Sequence, residues 1–253
     1  MIYSLFLIFT LTLHAGPPDA KTLLSNWKDA IYTPFETSKL RMTITAQNET
    51  PIVREAEISY SSEDLSDVKI YMRFHSPAKI RGTAFLSLKK SQSLSSDQWI
   101  YFPAYKKARR LSSRRKSDQF LDSDFSNGDI SFEYHQGYEF KVLKDAELDG
   151  KKVYVLEGTA LAETDTLYGK QVLYISKTDN LTIKSEFFDK NNQLIKEFVV
   201  KKWKKYGAHW AIDSATMKSL KTQGQTEIEF LSRDISKKPS PKIFTLLNLE
   251  RGQ

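Results

Sequence analysis

Seven cations stand within eleven positions of this 253-residue chain: Lys106, Lys107, Arg109, Arg110, Arg114, Arg115 and Lys116. Such a cluster attracts carboxylates, phosphates and anionic surfaces. The chain carries 38 Lys+Arg against 31 Asp+Glu, a net charge of +7, so the whole excess equals this one run. An anionic partner is expected there first, at Arg109, Arg110, Arg114 and Arg115. Trp99, Tyr101, Phe102 and Tyr105 precede the run, and Asp118, Asp122, Asp124 and Asp129 follow it. Aromatics beside cations would suit single-stranded nucleic acid. The rest of the chain has no positive excess, however, and no nucleic-acid partner is expected. Two readings of the arginines stay open. Either they engage lipid headgroups or an acidic partner protein, or they pair with the nearby aspartates and fix a loop.

Other chemistry lacks its residues. The histidines are His14, His75, His135 and His209, and none stands in a His-x-His or His-Glu-x-x-His context. Asp122, Asp124 and Asp129 lack the glycine and terminal Glu of a calcium loop. There is no Gly-x-Ser-x-Gly elbow and no phosphate-cradling loop. With no cysteine, disulfides, thiolate catalysis and Cys-ligated zinc are excluded. The expectation is a non-enzyme without metal or cofactor.

The elements that must position the cationic run are mostly strands. Lys21 to Tyr32 has apolar residues at helical spacing, with Asp19 as N-cap and Pro34 beyond its end. After it, period two dominates: Leu40 to Ala46, Ile52 to Tyr60, Val68 to His75, Thr83 to Leu88 and Gln98 to Ala104. The second half repeats the theme, with Asp149-Gly150 as the strongest hairpin signal. Even spacing predicts an antiparallel meander. The expected class is mainly β with few helices. Ten to eleven strands form a single large curved antiparallel sheet, and helical pieces at 21–32, 118–132 and 243–250 cover one face. Lys201, Lys202, Lys204 and Lys205 around Trp203 form a second basic patch at a hairpin end, which reads as edge-strand protection.

Residues 1–16 carry no charged side chain and include an apolar run from Ile2 to Leu13. That is too short for a membrane span, which needs about 20 residues. It suits a secretory signal peptide over 1–15, leaving 16–253 as one mature, exported domain.

The segments DQWIYFPAYKKARRLSS at 97–113 and QFLDSDFSNGDI at 119–130 resemble the central signature of the periplasmic outer-membrane lipoprotein-sorting proteins. The subgroup is the LolA-like one found beside RND-type (MMPL) exporters. HSPAKIRGTAFLSL at 75–88 and LRMTITA at 40–46 resemble the same group, so the likeness covers essentially the whole mature chain. It implies an open, unclosed β-barrel with helices on the concave side and an apolar hollow for acyl chains. It also implies a periplasmic, non-catalytic carrier of lipid or lipoprotein, with an inner-membrane RND-type transporter as partner and peripheral contact with a membrane. The apolar alternation set then supplies the candidate lining: Met42, Ile44, Ile58, Ile70, Met72, Phe74, Leu86, Ile100, Phe102, Ile183, Ile228 and Phe230. Asp122 stands where the family usually has Gly, which implies a different local turn. Residues 89–96 are longer and more polar than the family pattern. The competing class is a non-catalytic envelope module that binds a membrane protein and carries no lipid.

Overall fold

The computed structural model describes residues 18–62, 67–90, 93, 95–112, 115–131, 137–162, 164 and 166–252. The expected signal peptide lies outside the described residues, as do Arg114 and His135. The chain starts with helix α1 (Ala20–Ile31), whose first turn is capped by Asp19: the Thr22 amide donates to its carboxylate at 2.7 Å.

Fourteen strands follow among the described residues. They are β1 (Phe35–Thr45), β2 (Ile52–Ser62), β3 (Val68–Ser76), β4 (Ala84–Lys89), β5 (Asp97–Phe102) and β6 (Lys107–Leu111). After a turn of helix, α2 (Asn127–Ile130), come β7 (Tyr138–Val142), β8 (Ala146–Leu148), β9 (Lys151–Ala160), β10 (Lys170–Ser176) and β11 (Thr182–Phe188). Then β12 (Leu194–Tyr206), β13 (His209–Ser219) and β14 (Gly224–Asp234) precede the C-terminal helix α3 (Leu246–Arg251). All strands belong to one antiparallel sheet. The expected count of ten to eleven is therefore corrected to fourteen. One unanticipated strand is the cationic run itself: β6 is drawn out by pairing with β5, which overrides the weak strand preference of Lys and Arg. Another comes from the break between β7 and β8, read from sequence as one strand.

The sheet order is β6-β5-β4-β3-β2-β1-β14-β13-β12-β11-β10-β9-β7, with β8 attached to β9 alone. Two meanders thus meet where the first strand pairs with the last. Glu36 and Arg233 form a nearly buried ion pair across that β1–β14 joint. The two edges, β6 and β7, are consecutive in sequence, so the chain crosses from one rim to the other between Leu111 and Tyr138. At the β8–β9 turn Asp149 and Gly150 both have positive φ, 50° and 75°, as a two-residue primed turn requires.

Register sorts the side chains into two faces. Ile58 pairs with Met72, Met72 with Phe85 and Phe85 with Ile100; these share a face with Met42. Tyr71, Leu86 and Trp99 pair in a row on the other face. Leu23 of α1 packs with Leu156, Leu173 and Ile175. Leu173 lies two residues from Gln171, which pairs with Phe187 of the Met42-face core, so α1 covers the Met42 face. α3 lies on the Leu86 face: Phe244 and Leu249 pack with Tyr71, Leu86 and Tyr101. There Arg73 donates to the carbonyls of Leu249 (2.8 Å) and Asn248 (3.2 Å), satisfying groups a helix end leaves open. The helices therefore divide between the two faces, because Arg73 and the apolar Leu86 row offer α3 a seat of its own. Among the described residues of the stretch 118–132, only α2 is helical.

Truncating Leu23 to Ala should cost about 2–5 kcal/mol, the range for deleting a buried leucine side chain. Urea unfolding of the Leu23→Ala variant measures it, and a cost below the lower bound would mean that α1 is not docked as described.

Candidate functional site

The Met42 face carries an extended apolar cluster, to which Phe120 and Phe125 of the segment 115–131 belong. Phe120 is fully buried, with its ring 5.2 Å from Phe85 and 6.2 Å from Phe74. Phe125 meets Phe198 of β12 edge-on at 6.2 Å. Both belong to the cluster of Leu40, Met42, Ala56, Met72, Phe74, Phe85, Tyr168, Phe187 and Met217. One segment thereby ties together side chains from both meanders.

The segment folds back on itself before it reaches the sheet. The Phe120 amide donates to Phe125 O at 2.7 Å, and the Ser123 amide to Phe120 O at 3.0 Å. This forces Leu121 and Asp122 into the left-handed region, at φ 49° and 60°. Two non-glycine residues there cost roughly 1–2 kcal/mol each. The cost is met from the sheet: buried Arg54 of β2 donates through Nη1 to Leu121 O, while its Nη2 stands 3.7 Å from Asp122 Oδ2. Burial lowers the Arg54 pKa from its ordinary value, and the Asp122 charge offsets part of that shift.

Two further aspartates bolt the segment to other strands. Asp124 accepts from Thr226 Oγ1 (2.7 Å) and Thr222 Oγ1 (3.3 Å) at the β14 end. Asp129, nearly inaccessible, accepts from Tyr168 Oη (2.7 Å), Lys196 Nζ of β12 (3.1 Å) and the Ser126 amide (2.8 Å). At the β5 side, Gln98 Nε2 donates to Ser131 Oγ at 2.9 Å. Of the aspartates after the basic run, Asp122 stands beside Arg54, Asp124 accepts from threonines and Asp129 pairs with Lys196. Among the described residues of the run, Arg110 pairs with Asp97 and Arg109 stacks over Tyr105 at 4.3 Å.

A family model described as that of an uncharacterized protein matches residues 66–251. The chain is 26% identical to an outer membrane lipoprotein-sorting protein domain from Vibrio parahaemolyticus, covering 91% of this chain and 97% of that one with a TM-score of 0.82. The chain belongs to the family of that model, and its fold is that of the outer membrane lipoprotein-sorting domain. The fold is also that of a DUF1329 family protein from Desulfovibrio piger (TM-score 0.84, 23% identity, 90% and 96% covered). A LolA superfamily protein from Nitrosomonas europaea aligns at TM-score 0.72 and 20% identity, with 90% and 98% covered. No curated protein matches the chain.

On this LolA-like sheet the expected lining residues divide. Met42, Met72 and Phe74 are buried in the covered core, and Ile58, Ile228 and Phe230 pack against it. Ile44, Ile70, Ile100 and Phe102 share that face by register. Leu86 does not: Phe85 is the residue opposite Met72, and Leu86 serves the α3 cluster. Ile183 also falls away, packing with Val153, Val155 and Val172, because the register between β10 and β11 shifts at Tyr174/Ile175. Two cavities among the described residues lie off the covered core. One of about 390 Å³ is beside Asp145 and Lys177, and one of about 450 Å³ is between Lys69, Leu88, Lys238 and Phe244. Sequence reading missed Arg54, Lys196 and Phe85. The signal for the first two was a single charge inside an apolar alternation, Ile52-Arg54-Ala56-Ile58 and Leu194-Lys196-Phe198.

Asp129→Asn should destabilise the protein by about 3–5 kcal/mol, because Lys196 keeps a buried charge without its counter-ion; adding Lys196→Met should recover most of that. Urea unfolding of the single and double variants checks it. Burial also raises the phenol pKa of Tyr138 and Tyr168, and of Tyr60 to about 12. The unfolded phenols ionise near 10, so stability is complete below that pH and declines as pH climbs through the folded values. Unfolding midpoints should hold level up to about pH 10 and fall above it, with a shallower fall in Tyr168→Phe.

Proposed function

We propose that this protein is a periplasmic carrier or chaperone that shields acyl chains of a lipid or lipoprotein on the Met42 face, taken as the concave one. Residues 115–131 act as its displaceable cover. The observation that carries the reading is the nature of that cover. A large apolar face on a LolA-like sheet is closed by a short segment with two phenylalanine anchors and a few polar bolts, with strain at Leu121 and Asp122. Burying ten methylenes contributes about 8 kcal/mol, whereas re-exposing two phenylalanine rings costs roughly 3–6 kcal/mol. An acyl chain therefore has enough driving force to displace the rings and take their place. Met42 and Met72 give that surface adaptable side chains for chains of varied shape. The lining proposed is Met42, Ile44, Ile58, Ile70, Met72, Phe74, Ile100, Phe102, Ile228 and Phe230, with Phe85 added. No catalytic step is assigned.

Arg109, Arg110, Arg114 and Arg115 would meet lipid headgroups or an acidic surface of an inner-membrane RND-type exporter. Arg109 and Arg110 lie on the edge strand β6, exposed. Charge reversal of the four should weaken that binding at low salt and leave uptake of an apolar dye intact; undiminished binding would remove the arginines from the proposal.

One observation favours the second reading, a non-catalytic envelope module that binds a membrane protein. Phe120 and Phe125 already fill the covered core. Mass spectrometry of lipids extracted after gentle purification, with uptake of a fluorescent fatty acid, separates the two. The carrier reading expects bound lipid and several-fold greater uptake by Phe120→Ala. Absence of both lipid and uptake in the wild type and the variant leaves the interaction module standing.

A further inference from the structure

The second lysine patch lies on the β12–β13 hairpin. β12 and β13 lie inside the sheet, between β11 and β14. Their hairpin nevertheless outruns both neighbours. The β11–β12 ladder stops at Lys184/Val199, and the β13–β14 ladder begins at Ser214/Glu229. From there to the Tyr206/His209 turn the two strands pair only with each other. Side chains brace the base of this ribbon: Trp203 Nε1 donates to Thr182 O at 3.0 Å, and Arg233 Nη2 to Ile212 O at 2.9 Å.

The projecting ribbon carries Lys201, Lys202, Lys204 and Lys205, all exposed, with Trp203, Tyr206 and Trp210 half-buried among them. Asp213 is its one carboxylate and pairs with Lys202 at 2.8 Å. No described carboxylate forms an ion pair with Lys201, Lys204 or Lys205. Lys204 and Lys205 instead sit 5.3 Å from the Tyr206 ring and 5.7 Å from the Trp210 ring. Antiparallel pairing places this tip at the strand ends opposite the Pro103–Lys106 turn. The β4 exit, with exposed Lys90, and the chain leaving β14, with exposed Lys237, are at the same ends.

We infer that this lysine-tipped ribbon is a docking finger for an anionic lipid bilayer. Lysines spread over one end of a sheet complement a broad charged plane better than a compact ligand. Trp and Tyr, each an apolar body with a polar tip, suit the headgroup layer. Each lysine near an anionic leaflet strengthens partitioning roughly fivefold. The inference does not depend on what the Met42 face binds.

The test is co-sedimentation with phosphatidylcholine vesicles made with and without phosphatidylglycerol. The wild type should bind only the anionic vesicles, less so at high salt, with a blue shift of tryptophan fluorescence. Lys204→Gln/Lys205→Gln should lose about 25-fold in partitioning with an unchanged thermal midpoint. Reversal of Arg109 and Arg110 serves as the control for the other cationic region. Equal vesicle binding by the lysine variant and the wild type overturns the inference. So does equal binding to neutral vesicles, or binding to polyglutamate with none to anionic vesicles, which would point to an acidic protein.

Discussion

A sheet buries one face only against something, and among the described residues this sheet has no partner sheet. Its rims, β6 and β7, remain unpaired with each other, so closure cannot hide the apolar rows of Met42, Met72 and Phe85. Exposed, they would be a liability of the kind soluble proteins avoid. The requirement to cover that face explains the rest of the architecture. α1 takes the region near Leu156 and Leu173, and the rim-to-rim crossing takes the centre. The cover is held by polar groups because it carries backbone that cannot be left unsatisfied under a sheet. Arg54 of β2 donates to Leu121 O and Thr226 of β14 accepts from the Asp124 amide, while Lys196 of β12 meets the Asp129 carboxylate.

The polar contacts are unequal. Asp129 is enclosed with Tyr168 and Lys196, whereas the Asp122 side chain is 94% exposed against an Arg54 side chain only 6% exposed. Screening weakens the Asp122 attraction, so Arg54 depends more on Leu121 O for its stabilisation. A guanidinium is hard to neutralise even when desolvated. The site near Arg54 is therefore strained and partly wet, and the one near Asp129 is dry and well satisfied. In the proposed carrier the Leu121–Asp122 turn is the first part of the cover to open.

Most strands were legible because one-face burial writes period two into sequence, as in Leu40-Met42-Ile44 and Val68-Ile70-Met72. The helix at Ala20–Ile31 was legible from its cap and spacing. β6 was hidden because its residues are Lys and Arg, and only pairing with β5 makes them a strand. Leu86 and Ile183 could not be assigned to a face from alternation alone. Phase between strands is set by pairing, and a bulge between β10 and β11 reverses it. The cationic run leads into the segment that covers the Met42 face. Its charge is prominent, but Phe120, Phe125 and the aspartates that follow connect it to the sheet. Those long-range partners, Arg54 and Lys196, lie 68 and 67 positions from Asp122 and Asp129 in a chain that gives no local hint of them.

Because β6 and β7 are neighbours in sequence, the crossing segment is moored at both ends. A guest on the Met42 face would never remove this competitor by dilution. The segment stays at a fixed, high local concentration, and its return is a first-order event independent of how much protein is present. Apparent affinity for any guest is then set by the fraction of molecules in which the mooring is slack. Lengthening the crossing, with every contact unchanged, would tune retention and discharge without altering the surface that holds the guest.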